Sequence, residues 1–139
     1  MKASNLIHQI NKEPRKLFLI DGLGALLSAF LLGVVLVKLE HIFGIPRSAL
    51  YVLAVIPCFF AAYDIYRYWR LDKNLSRFLQ MIAVLNVAYC CLSIGVAISH
   101  HAVITTLGWG YIIGEVIIVV SLALLEWKIA REQLGMGKL

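Results

Sequence analysis

The sequence predicts an all-α polytopic membrane protein, an antiparallel bundle of four transmembrane helices with both termini in the cytoplasm. Three observations carry that prediction. Hydrophobic residues make up 61% of the 139 positions and charged residues only 15%, a balance far outside that of soluble domains. The apolar residues fall into four runs, at about 17–37, 48–66, 78–99 and 103–125, each close to the roughly 20 residues a helix needs to cross a bilayer core. The basic residues gather on alternate connections, as the positive-inside rule requires of such a chain.

Residues 1–16 form a polar and basic N-terminal segment in which Leu6, Ile7 and Ile10 share one helical face and Ser4 is placed to cap it, which predicts a short helix lying on the membrane surface. Pro14, Arg15 and Lys16 lead into the first span, where proline is tolerated in an opening turn. That span is too long for the apolar region of a secretory signal, and more spans follow it, so it is expected to be retained. A polar connection with Lys38, Glu40, His41, Gly44, Pro46 and Arg47 separates it from the second span.

The second span contains Pro57, which removes one backbone hydrogen bond and predicts a kink near mid-helix. Tyr63, Tyr66, Tyr68 and Trp69 form an aromatic belt at its end, and Arg67, Arg70, Lys73 and Arg77 fill the next connection. Between the third and fourth spans only Ser99 to Ala102 remain, which predicts a tight antiparallel hairpin. Glu126, Trp127, Lys128 and Arg131 give the fourth span an interfacial ending, and residues 128–139 are expected to be a frayed cytoplasmic tail. Four spans within 17–127 leave no length for a separate soluble domain.

Eleven of the 13 Lys and Arg lie on the N-terminal, central and C-terminal segments, and only Lys38 and Arg47 on the opposite loops. The rule places the eleven in the cytoplasm, with the plasma (inner) membrane as the expected location. A pI near 9.3 therefore reflects membrane edges instead of a nucleic-acid footprint. The expected partners are the lipid bilayer and either a second copy or a larger membrane complex; no residue pattern specifies a cofactor. At an offset of 62, Leu32-Gly33-Val34 falls on Ile94-Gly95-Val96 and Asp64 on Glu126, the trace of a repeat that would relate two hairpins.

Ionisable residues within a span are costly and need a partner or a purpose. Glu115 lies about ten residues from either end of the fourth span, near the bilayer midplane, and must face the interior, carry a proton, or both; read as a packing group, it is a protonated carboxyl hydrogen-bonded to Asn86 or Tyr89. Helical angles place Gly108, Tyr111, Leu122 and Glu126 within about 40° of it. Gly110 and Gly114 point elsewhere and offer a small-residue face for close helix contact. In the third span Asn86, Cys90, Ser93, Ala97 and His100 share one line, and in the first Asp21 shares a face with Ala25, Ser28 and Leu32. Glu115, Tyr111, Asn86 and Asp21 are thus the candidate ligand- or proton-binding residues. Asp64 and Glu126, at the ends of spans, read as structural or interfacial acids, with Arg67, Arg77 or Lys16 as ion-pair partners for Asp64 and Asp21.

Topology brings His41, His100 and His101 to one membrane surface beside Glu40, a set of ligand types suited to zinc, copper or haem, though without HxxxH or HExxH spacing. Cys58, Cys90 and Cys91 lie within apolar runs and read as packing residues. No nucleophile elbow, phosphate loop or zinc-protease helix is present, so an enzyme is the less expected class. The sequence leaves three functions open: a small bundle that binds or transports a solute or ion around Glu115, an accessory or assembly subunit, and a membrane redox or metal protein.

Overall fold

The structure is a computed structural model and describes residues 16–70 and 75–137. The surface helix expected within residues 1–16 lies outside them except for Lys16. All the regular structure described is helical. α1 spans Lys16–Lys38, α2 Glu40–Phe43, α3 Arg47–Trp69, α4 Leu75–Ser99 and α5 Thr106–Gly137. α1, α3, α4 and α5 are each long and apolar enough to cross a membrane.

The outer surface supports an integral membrane protein. Phe59, Ile118 and Leu124 are 71%, 70% and 67% exposed, and apolar patches of that kind need a cover other than water. Inside, one cluster around Leu32, Leu36, Leu50, Leu53 and Ile112 fills the end nearer α2. A second, built on Leu17, Phe18, Leu79, Ile82 and Ile129, fills the end at Lys16. The line of Asn86, Cys90, Ser93 and Ala97 is the buried face of α4, each residue at most 4% exposed.

Two helical hairpins hold most of the packing: α1 lies along α3, and α4 lies along α5. The hairpins meet through a thinner seam, α3 touching α4 and α2 touching the start of α5. Close approach within the first hairpin depends on glycine. A Cβ on Gly22 would lie 3.2 Å from Asp64 Cβ, and one on Gly33 3.3 Å from Ala54 Cβ. At the glycines of the expected repeat the surroundings differ, since Gly95 has open space where Gly33 has Ala54. α1 also widens into a π-helical turn over Leu31–Val35, a feature that often accompanies functional sites.

At the α2 end the hairpins interlock through backbone. Gly44, in the left-handed region at φ 73°, ends α2; the Thr105 amide donates to Phe43 O at 3.1 Å and Thr105 Oγ1 donates to Ile42 O at 2.7 Å. A Cβ on Gly44 would fall 2.2 Å from Val103 O, and one on Gly108 2.2 Å from Phe43 O. Thr105 Oγ1 also accepts from the Gly108 amide at 3.2 Å, capping α5. The helix therefore begins at Thr106, three residues after the apolar run does. At its other end α5 continues to Gly137, through the stretch expected to fray.

Candidate functional site

Because α1 and α5 belong to different hairpins, a cleft opens between them. It encloses about 360 Å³, within the usual range of small-ligand pockets. Asp21, Ala25 and Ser28 line it from α1, Tyr111, Glu115 and Leu122 from α5, Pro57 and Phe60 from α3, and Asn86 and Tyr89 from α4. All four candidate binding residues, Asp21, Asn86, Tyr111 and Glu115, border this one space. Gly24, Gly110 and Gly114 also line it, with nothing within 4 Å of where a Cβ would stand. The glycine face expected to pack closely is instead a cavity wall, because a cleft is wider than one helical face. Gly108, grouped with Glu115 by angle, packs on Phe43.

Glu115 Oε1 accepts two hydrogen bonds from other helices, one from Ser28 Oγ and one from Tyr89 OH at 3.0 Å. Its second oxygen, Oε2, is buried and has no partner among the described residues. Tyr89 OH also lies 3.3 Å from Leu53 O. That carbonyl stands four residues before Pro57, which has no N–H to offer it, so a side chain from α4 replaces the missing donor of α3. A single hydroxyl proton cannot serve both acceptors at once. When Tyr89 donates to Leu53 O, the Glu115 carboxyl must supply the proton for their contact; when Glu115 is ionised, Tyr89 donates to it.

No family model, curated protein or solved structure matches this chain. Its function therefore has to be read from the geometry.

A second polar layer lies toward the Lys16 end, about 10 Å along α1 from Ser28 to Asp21. Asn86 Nδ2 donates to Asp21 Oδ1 at 3.2 Å and to Glu126 Oε2 at 3.3 Å. Asp64 completes the layer against Asp21 and Glu126. Asp64 and Glu126 are fully buried, and Asp21 and Asn86 are 4% exposed. Both oxygens of Asp64, Asp21 Oδ2 and Glu126 Oε1 are buried without a hydrogen-bond partner among the described residues, so the layer keeps unused hydrogen-bonding capacity.

Asp64 and Glu126 thus sit inside the seam between hairpins, not at an aqueous edge, because Gly22 leaves room for Asp64 to reach Asp21. Arg67, expected as an ion-pair partner for Asp21 or Asp64, lays its guanidinium over the Phe78 ring at 3.4 Å. Arg77, another such candidate, is exposed.

The histidines do not assemble. His100 Nδ1 contacts Val96 O at 2.9 Å and His101 Nδ1 contacts Ile98 O at 2.8 Å, so each ring folds back on the end of its own helix. His41 is exposed, and Glu40 pairs with Arg47 at 2.7 Å. Among the described residues no three His, Cys, Asp or Glu side chains gather into a possible metal site. Cys90 is buried, as a packing residue should be, but Cys58 and Cys91 are exposed on the apolar surface.

Proposed function

We propose that this chain is a membrane-embedded bundle that binds a small solute, or carries it across the bilayer, in the cleft between α1 and α5. One observation carries the proposal: Glu115 Oε2 is buried beside a cavity of about 360 Å³ and has no partner among the described residues. A carboxyl at mid-span is costly to keep, and an unpartnered oxygen at a cavity wall leaves hydrogen-bonding capacity that a ligand can take up. The acid layer of Asp21, Asp64 and Glu126 adjoins the cleft at its Lys16 end, where Asp21 and Asn86 belong to the lining, and supports the reading of a polar interior. The basic segments at that end support the orientation with both termini in the cytoplasm, and the inner membrane as the location.

Chemical access to the cleft tests the proposal. With Cys58, Cys90 and Cys91 replaced by alanine, Gly114→Cys is expected to react with uncharged N-ethylmaleimide much faster than Leu124→Cys on the apolar exterior. Thiol alkylation proceeds through the thiolate, which needs water. Equal and slow labelling at both positions would mean that no aqueous solute enters the cleft, and the proposal would fail.

A further inference from the structure

The walls of the cleft say what charge it accepts. Among the described residues its ionisable side chains are two carboxyls, Asp21 and Glu115, and two phenols, Tyr89 and Tyr111, with no Lys, Arg or His in the lining. An anionic solute would set its charge against those carboxyls. Phe60, Tyr89 and Tyr111 bring three aromatic rings to the same space, and ring faces attract cations, most strongly where water is excluded. Leu27, Leu31, Ile118 and Val119 supply hydrocarbon around them. An inorganic ion fits poorly, because it needs several oxygens to replace its hydration shell. Asp21 and Glu115 stand on opposite walls in layers about 10 Å apart, and no metal-type group is assembled among the described residues. The glycines at 24, 110 and 114 leave the side of the cleft open where Leu27 and Ile118, 59% and 70% exposed, form its lips.

Building on the binding role proposed above, we infer that the cleft takes an organic monocation with an apolar body, its ammonium group set against Glu115 Oε2 and its hydrocarbon among the leucines and rings. The ion pair needs Glu115 as the carboxylate. A proton held there leaves to solvent as the ammonium arrives, so proton and cation compete for one oxygen pair. The other titratable groups facing Glu115 are Tyr111 on α5, Tyr89 and Cys90 on α4, and Asp21 across the cleft on α1; α3 presents Pro57 and Phe60, which do not titrate.

The test compares benzyltrimethylammonium with its uncharged carbon isostere, neopentylbenzene, as protectants of Gly114→Cys against N-ethylmaleimide, using the full-length protein in detergent. The cation is expected to protect at concentrations at least about tenfold lower than the isostere, the worth of one desolvated cation–π and ion-pair contact. Protection should weaken as pH falls. Glu115→Gln, which keeps the acceptor for Ser28 and Tyr89, should shrink the preference to what the rings alone supply. Equal protection by the two compounds, protection by neither, or a preference undiminished by Glu115→Gln would overturn the inference. Because the first comparison needs no change at Glu115, poor folding of that variant does not affect it. If Gly114→Cys labels no faster than Leu124→Cys, the cleft itself is closed and the binding role fails, a result separate from a wrong charge preference.

Discussion

At Tyr89 one hydroxyl links three helices, standing 3.3 Å from Leu53 O on α3 and 3.0 Å from Glu115 Oε1 on α5. Tyr89→Phe keeps the edge-to-face contact with Phe60, whose ring centroid is 6.2 Å away, and removes only the hydroxyl. The expected cost is about 1–3 kcal/mol, the penalty for leaving a buried acceptor unsatisfied. Pro57→Ala restores an N–H to the Leu53 carbonyl, so Tyr89→Phe should cost less in that background by at least about 0.5 kcal/mol. Unfolding of the single and double variants in one detergent measures the difference; strictly additive effects would show that Tyr89 does not substitute for the missing amide. Mid-span position and helical angle made Glu115, Tyr111 and Asn86 legible in the sequence. Tyr89 was legible as one of two expected hydrogen-bond partners of Glu115, and the other, Asn86, bonds Asp21 and Glu126 instead; Ser28 and Phe60 were not legible as companions, because which side chains meet Glu115 depends on how two hairpins are rotated against each other. The one local clue is the orphan carbonyl four residues before Pro57, which requires a donor from somewhere.

At the scale of elements, the apolar runs marked the four long helices, and hydrophobic length sufficed because a span's ends are set by the solvent boundary. Local backbone geometry was harder to read. α2 and the late start of α5 are held by contacts between segments far apart in sequence, chiefly Thr105 with Ile42 and Phe43, and the π-helical turn at Leu31–Val35 has no marker in the local sequence. The glycines separate two kinds of position. Gly108→Ala puts a methyl 2.2 Å from Phe43 O and should destabilise the protein by about 1–3 kcal/mol through overpacking. Gly24→Ala meets nothing within 4 Å and should stabilise α1 by about 0.5–1 kcal/mol, the difference between alanine and glycine within a helix. Thermal unfolding of the two variants side by side is the check, and shifts of the same sign would contradict the packing described for Gly108.

For the whole molecule, charge is as informative as hydrophobicity. Eleven of 13 basic residues flank the ends that the proposed orientation puts in the cytoplasm. In intact cells an impermeant thiol reagent is expected to label a cysteine introduced as His101→Cys and not one introduced as Asn74→Cys; the reverse pattern would invert the topology. What the sequence could not convey is the pairing of helices into two hairpins with a thin seam, since every apolar helix face suits every other. The same holds for the acid layer: Asp64 and Glu126 lie 62 positions apart at the ends of separate spans; Asp64 reaches Asp21 within the first hairpin, and only the meeting of the hairpins adds Glu126.

That seam has a mechanical consequence. At the α2 end the two halves are pinned backbone to backbone, with glycine at 44 and 108 because no side chain fits, whereas at the far end they meet through the apolar cluster of Leu17, Phe18, Leu79, Ile82 and Ile129, next to the carboxyls and one carboxamide. The two ends are therefore fastened by different physics. Directional backbone bonds fix the register at the first, while non-directional apolar packing closes the second.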